Sequence, residues 1–382
     1  MFLKRKYQSR ESLSGTGSRD NLLGEGKLSL RVDIKKQLRQ FLLQVQLEAG
    51  RGCLGILGPS GCGKSMTLKT IAGIQHPDSG QVVLGRRVLY DSARRIDVRP
   101  QKRRVGYLFQ NYALFPNMTV EQNIRAGLQY GAKIRGDYGT QVAELVERFR
   151  LEGLEKQYPG RLSGGQQQRA ALARIFACGP DVLLLDEPFS AMDSFLRERL
   201  RLELEQLLDG YDGVSVLVTH DRDEAYQLCD HLLLMDEGKV LAAGTTRDVF
   251  GDPGSVQAAR LTGCKNISRI RRLGPCRVCA LDWNGLELAT GREVGQEITA
   301  VGIRAHDFVP LGEGEALERR AQGADNLIPV TSPSIAEMPF EWYVTLENGI
   351  WWKKEKDIHT HDSTGVVPSW LYVDPSAILL LR

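Results

Sequence analysis

The chain has 382 residues, 42% hydrophobic and 25% charged, the balance of a soluble globular protein with room for two or three domains. Its net charge is only +3, and that excess sits in residues 1–27, so the formally neutral remainder argues against a dedicated nucleic-acid binder. No apolar run reaches the roughly 18 residues of a membrane span, the N-terminus lacks the apolar core of a secretory signal, and seven scattered cysteines form no disulfide framework; a reducing, cytosolic setting is expected.

Residues 1–27, rich in Ser, Gly, Arg and Lys and without apolar periodicity, read as a disordered tail. From Leu28 to residue 262, strand-like and helix-like segments alternate. Cys53–Leu57 reads as a short apolar strand, followed by a glycine-rich turn and a helix through Ala72 with Gly73 as its C-cap. The turn, Gly58-Pro59-Ser60-Gly61-Cys62-Gly63-Lys64-Ser65, satisfies G-x-x-x-x-G-K-[ST]. Its glycines let backbone N–H groups wrap a phosphate chain at a helix N-terminus, where the dipole favours negative charge. Lys64 would place a point charge on the β- and γ-phosphates, and Ser65 would ligate Mg2+.

Val82–Leu84 and Val88–Tyr90 flank Gly85-Arg86-Arg87, a hairpin signal. Residues 118–160 look helical, with Val142, Leu145, Val146 and Phe149 on one face. Leu162-Ser163-Gly164-Gly165-Gln166 then opens an Ala-rich helix that stops at Gly179-Pro180; Ser163 suits an N-cap, and the two glycines expose N–H groups to an anion. Val182–Leu185 and Val214–Thr219 are apolar or β-branched throughout, as for parallel strands buried on both faces. Asp186 and Glu187 close the first of these. Taken alone they could be a solvated strand end; taken with the phosphate loop, Asp186 would hold the Mg2+ shell and Glu187 would polarise the attacking water. Helices are expected at Ser194–Leu208 and at Asp221–Leu228, the latter with an Asp221/Glu224 capping box. Leu232–Met235 and Val240–Ala242 flank a second hairpin. From residue 263 onward, short β segments with frequent Gly and Pro dominate and helical periodicity disappears, so residues 263–382 read as a separate, mostly β domain.

Two phosphate-binding helix ends on one chain need a reason, and here the sequence resembles the ATP-binding subunits of ABC transporters. The matches are the phosphate loop at Gly58–Ser65, a glutamine at Gln110 after Val105–Phe109, the signature at Leu162–Gln166, Val182–Asp186 with Glu187, a D-loop at Ser190–Asp193 and a switch histidine at His220. The resemblance implies an α/β P-loop nucleotide-binding domain with a helical subdomain (28–262), ATP and Mg2+ as cofactors, and a homodimer through the ATP-binding domains. In such a dimer Ser163, Gly164, Gly165 and Gln166 cap the partner's ATP, and Asp193 reports across the interface. By the same resemblance Gln110 senses Mg2+ and the γ-phosphate, His220 contacts the γ-phosphate, and Glu187 and Lys64 complete the catalytic set. Gly58, Pro59, Ser60, Gly61, Cys62, Gly63, Lys64, Ser65 and Met66 line the nucleotide, with Ser65, Gln110 and Asp186 toward the metal. Three departures stand out: Met66 replaces the usual Thr, Met192 the usual Leu, and the aromatic expected against adenine has only Phe41 as candidate, with Leu38 nearer the expected place.

The aromatic segment Asn111–Val120 after Gln110 suits docking of an integral membrane permease subunit. This form resembles the bacterial importer branch, with a separate substrate-binding protein and a peripheral position on the cytoplasmic face of the membrane. Arg99–Tyr107, Thr262–Asn266 and Val301–Asp307 are similar to the molybdate and sulfate importer ATPases, whose tails are β-barrel-like, oligobinding-type domains. The resemblance ranks molybdate or tungstate first, sulfate or thiosulfate second, and sugars or polyamines third. The reading from another class is a soluble ABC ATPase acting on nucleic acid or ribosomes, against which stand the single nucleotide domain and the neutral body; no nucleic-acid partner is expected. Cys276-Arg277-Val278-Cys279 and His359-Thr360-His361-Asp362 have ligand-like spacing, but thiols in a β segment and a solvated loop are the readings preferred for them.

Overall fold

The computed structural model describes residues 28–130, 137–190, 192, 194–356 and 367–382. Strands β1 (Leu30–Gln37) and β2 (Leu42–Ala49) pair antiparallel, and their two-residue period puts Leu30, Val32, Ile34, Leu43, Val45 and Leu47 on one buried face. β3 (Gly52–Leu57) feeds the glycine-rich turn and α1 (Lys64–Ala72), which ends as expected on Gly73 in the left-handed conformation, φ 77°. β4 (Ser79–Leu84), β5 (Arg87–Asp91) and β6 (Ile96–Asp97) complete an antiparallel sheet in the order β2-β1-β4-β5-β6. The hairpin near Gly85 is present one residue tighter, with Leu84 paired to Arg87.

After α2 (Pro100–Arg103) and β7 (Val105–Leu108) come α3 (Val120–Tyr130) and α4 (Tyr138–Arg148). The helical stretch expected over 118–160 is thus shorter at its end: Arg150 and Gly153 at positive φ turn the chain out of helix before Pro159. α5 (Gly164–Ala177), β8 (Val182–Asp186), α6 (Ser194–Asp209), β9 (Val214–Thr219), α7 (Arg222–Leu228), β10 (His231–Asp236), β11 (Lys239–Thr245), α8 (Thr246–Gly251) and α9 (Val256–Leu261) follow. The second sheet runs β11-β10-β3-β9-β8-β7, parallel from β10 to β7 with β11 as an antiparallel edge.

Every residue of β8 and β9 is buried, because both faces of this sheet are covered. Alternation divides the side chains between two cores. Leu183, Leu185 and Leu217 join the helical residues Ile124, Val146, Leu172 and Leu204. Val182, Leu184, Val214, Val216 and Val218 join α1 and the antiparallel sheet through Leu68, Ile71, Val32 and Val45. The four central strands therefore end side by side, all pointing their C-terminal ends the same way.

From Asn266 the chain is mostly β: β12 (Asn266–Gly274), β13 (Arg277–Ala280), β14 (Leu286–Ala289), β15 (Ala300–Ile303), β16 (Phe308–Leu311), α10 (Glu313–Ala321), β17 (Leu327–Pro329), β18 (Ser334–Glu337), β19 (Glu341–Thr345), β20 (Trp351–Glu355), β21 (Trp370–Val373) and β22 (Leu379–Leu381). They form sheets β14-β13-β12-β15-β22, β16-β21-β17 and β18-β19-β20 around one apolar core that includes Trp283, Val301, Phe308, Trp352 and Leu371. α10 departs from the expected loss of helix; only its Ala316 is buried, so it carries no apolar stripe to read. Arg304 ties this β part to the preceding helices, donating to the carbonyls of Thr262 and Phe250, and Arg292 pairs with Asp252 at 2.7 Å. Cys276 is exposed and Cys279 buried, whereas His359–Asp362 lies outside the described residues. Among the described residues no helix is long and apolar enough to cross a membrane.

One buried cation holds the phosphate-loop helix from behind. Arg103, 1% exposed, donates Nη1 to the carbonyls of Thr70 and Ile71 at the end of α1, Nε to Val98 O and Nη2 to Asp97. Arg103→Met keeps the aliphatic stem but strands these acceptors. It is expected to lower the stability of the first urea transition by about 2 kcal/mol at unchanged m value.

Candidate functional site

The site gathers at the C-terminal ends of β3, β7, β8 and β9, where an open parallel sheet presents its loops. The turn after β3 is held open by its neighbours. Gly58 packs so closely on the Met235 carbonyl that a Cβ would lie 2.1 Å from it, and Gly63 (φ 109°) sits against Leu43 and Met235. No such obstruction stands over Gly61 (φ 82°), where a Cβ would meet nothing within 4 Å. No side chain caps α1; its first backbone bond runs from Thr67 N–H to Gly63 O, and within the turn only Cys62 N–H is taken, by Pro59 O at 3.4 Å, which leaves the N–H groups at the start of α1 for a ligand. Lys64 is buried and donates Nζ to Gly58 O and Pro59 O, both at 2.8 Å, so its cation stands inside the loop. Burial pushes the Cys62 thiol up, with the nearby Lys64 opposing.

Asp186 meets this loop from the end of β8. Its Oδ1 accepts from Ser65 Oγ and its Oδ2 from Tyr107 Oη, both at 2.7 Å. Burial and the Asp186 carboxylate hold the Tyr107 phenol far above its ordinary range, so it stays a donor. Ser65 and Asp186 thus form a pair of hard oxygens beside a phosphate loop, a donor set that fits Mg2+.

Glu187 follows at φ 45°, with its N–H on Val218 O at 2.9 Å, a left-handed backbone that turns its carboxylate away from the β8 line. His220, half exposed after β9, brings Nδ1 to 3.4 Å from Glu187 Oε2. Gln110 stands exposed in the turn after β7; among the described residues it makes no hydrogen bond to Ser65 or Asp186. Met66 turns its side chain into the core beneath α1, which leaves it only a backbone N–H to offer.

The signature turn belongs to the helical core through Leu162 and Ala170, not to the core under the phosphate loop. Ser163 is its N-cap: Ser163 N–H donates to Gln166 Oε1 at 2.8 Å and Gln166 N–H to Ser163 Oγ at 3.4 Å. Gly164 faces open space while Gly165 packs on Leu196 and Leu200. Asp193 lies outside the described residues.

Several contributors escaped the sequence reading. Tyr107 is one. Arg197 is another: Nη2 donates to Met192 O at 3.1 Å and Nη1 lies 3.8 Å from Asp221 Oδ2, joining the D-loop segment to the loop after His220. Phe41 lies against Gly63 and Gly238, beside the phosphate loop, and Leu38 packs into the same core. The Asp221/Glu224 capping box is only half formed. Asp221 caps the N–H groups of Asp223 and Glu224, but Glu224 turns inward and accepts from Thr219 Oγ1 at 2.5 Å, while Thr219 Oγ1 accepts from Asp221 N–H. Thr219 offered no sequence signal for this, because a hydroxyl at a strand end serves either neighbour.

A phosphate loop on a parallel strand, faced by a serine–aspartate pair and a following glutamate, defines a P-loop nucleotide hydrolase. The family described as ABC transporter matches residues 42–190, from β2 past Glu187. The chain is 43% identical over 234 residues to the sulfate/thiosulfate import ATP-binding protein CysA of Thermosynechococcus vestitus, covering 61% of this chain and 68% of that one. It is 41% identical over 309 residues to the protein so named in Caulobacter vibrioides, covering 78% and 87%. To the spermidine/putrescine import ATP-binding protein PotA of Oleidesulfovibrio alaskensis it is 37% identical over 298 residues, covering 74% and 78%. The chain belongs to the ATP-binding subunits of ABC transporters of the import type, and it is an ATPase.

Burial raises the Glu224 carboxyl above its ordinary 4.5; the Thr219 hydroxyl bond opposes this, and Asp221 adds to it. A folded value above the unfolded one means the native state holds the proton more tightly, so this group's contribution is greatest below the ordinary value and is lost as pH rises through the folded one. Glu224→Gln keeps an acceptor for Thr219 and removes that loss. Its stability relative to the parent is expected to rise as pH increases above the ordinary 4.5, as followed by thermal unfolding over a pH series.

Proposed function

We propose that this chain energises import of sulfate or thiosulfate. The observation that carries this reading is the 41% identity, over 87% of the relative's length, to an ATP-binding protein named for sulfate/thiosulfate import, a match that extends into the β part. This order replaces the molybdate-first expectation: the relatives described above carry sulfate/thiosulfate or spermidine/putrescine in their names and none carries molybdate. The chain is read as residues 28–262 for ATP and 263–382 for regulation or dimer contact; the cores beside the phosphate loop and within the β part are separate, while Ala259, Cys264, Ala300, Leu379 and Leu381 share one small cluster across the boundary.

In this reading the turn from Gly58 to Met66 wraps the phosphates with backbone N–H groups, and Lys64 exchanges its carbonyl partners for the β- and γ-phosphates. Ser65 and Asp186 would hold Mg2+, which supplies charge neutralisation on the phosphates when bound. Tyr107 keeps the second Asp186 oxygen occupied, fixing the carboxylate's orientation. Glu187 positions the attacking water and His220 steadies that carboxylate while facing the γ-phosphate. Phe41 offers the base or ribose an apolar wall. Gln110 reaches the nucleotide from its exposed turn, and Ser163 to Gln166 meet the ATP held by a second copy, with Asp193 at that interface. Leu114, Phe115 and Met118 beyond Gln110 present an apolar surface to the permease subunits; Phe115 is 46% exposed. The subunit then sits on the cytoplasmic face of the membrane, supplied by a separate substrate-binding protein.

Glu187→Gln is expected to reduce ATP turnover by at least about 100-fold while leaving an ATP-dependent dimer detectable by gel filtration. Near-parental hydrolysis would remove Glu187 as the water-positioning group. The substrate is tested by ATP-driven uptake into vesicles carrying the whole importer, with sulfate, thiosulfate, molybdate and spermidine in competition. Uptake of labelled sulfate that thiosulfate suppresses supports the proposal; uptake of spermidine or molybdate alone overturns it.

A further inference from the structure

The loop after Gln110 has an unusual backbone. Tyr112 (φ 58°) and Ala113 (φ 45°) are consecutive non-glycine residues in the left-handed region, where a Cβ crowds the neighbouring carbonyl. Local bonds alone do not account for this shape: Tyr112 N–H reaches Phe109 O and Ala113 N–H reaches Asn111 O, while the buried Tyr112 hydroxyl has no hydrogen-bond partner. Two side chains from outside the loop hold it. Asn123, fully buried in α3, exchanges bonds with both backbone groups of Phe115 and donates to Met118 O and Thr119 O. Arg174, in α5, donates Nη1 to Ala113 O at 2.7 Å and Nη2 to Tyr112 O at 3.2 Å, with its guanidinium 5.0 Å from the centre of the Phe115 ring.

The two carbonyls bound by Arg174 are those of the two left-handed residues. A planar fork with two parallel donors matches them, and the Phe115 ring lies within cation–π reach of it; a lysine ammonium lacks the fork. α5 is also the helix that begins at the signature turn, capped by Ser163. A single rigid element therefore carries the signature at one end and, ten residues on, the clamp on the loop of Gln110.

We propose that Arg174 is a positioning residue for hydrolysis: it imposes the left-handed backbone at Tyr112-Ala113, sets the direction from which Gln110 approaches the nucleotide, and makes that direction depend on the position of the signature helix. The inference rests on the reading of Gln110 as a group that acts on ATP. Arg174 itself touches no nucleotide, so its loss acts on turnover and not on nucleotide affinity.

The test uses the full chain with Mg-ATP. Arg174→Gln should lower kcat about tenfold with KM for ATP changed by less than about twofold. Amide exchange should speed up in residues 111–119 and not in residues 58–66. Ala113→Gly, which adopts positive φ without penalty, should recover at least about threefold of the lost kcat in the double variant, and Arg174→Lys should fall between. A general packing role for Arg174 would give no rescue by a glycine in another element, so absence of recovery in the double variant overturns the proposal. A rise in KM at unchanged kcat overturns it equally. Should Arg174→Gln fail to fold, Arg174→Lys with and without Ala113→Gly carries the same comparison. Gln110→Ala separates the two readings: unchanged kcat there removes Gln110 as an ATP-acting group, while faster exchange in 111–119 on loss of Arg174, reversed by Ala113→Gly, still identifies the clamp.

Discussion

The two oxygens of Asp186 hold the site together. One takes the Ser65 hydroxyl, the other the Tyr107 phenol, and these come from the phosphate loop and from β7. A buried carboxylate is costly unless both lone-pair sides are occupied, so this pairing fixes the spacing of three elements at once. The fold supplies the residue by ending β8 there. The parallel strands end in register, and Glu187, the phosphate loop and the loop of His220 then fall around one point.

Much of this was legible along the chain. The G-x-x-x-x-G-K-S run between an apolar strand and a helix, the all-apolar Val182–Leu185 and the Gly73 stop all carry local physics, and each lies within a residue of where it was read. Backbone period and turn chemistry need only neighbours in sequence, so one sequence suffices for them.

Part of what escaped the reading depends on partners far apart in sequence, and part on a local choice of partner. Tyr107 looks like a strand aromatic until Asp186 is seen 79 positions away. Arg103, Arg174 and Arg197 look like surface cations, yet each spends its guanidinium on main-chain carbonyls of another segment. Glu224 was read as half of a local cap and instead faces Thr219, since a buried carboxyl seeks the nearest donor, not the one its motif predicts. Helix α10 has only one buried residue and leaves almost no pattern. The molybdate ranking lacks support among the relatives for a different reason: a site built for ATP hydrolysis encodes nothing about an oxyanion cargo.

The alternation along β8 separates two cores within five residues. Leu183 and Leu185 answer to the helical side, Val182 and Leu184 to the side that carries α1. Substitutions at odd positions can refit the helical half to a changed neighbour while even positions keep the nucleotide half as it was. The helical half and the nucleotide half can therefore be repacked independently, because the two sets of constraints are written on opposite faces of the same strand.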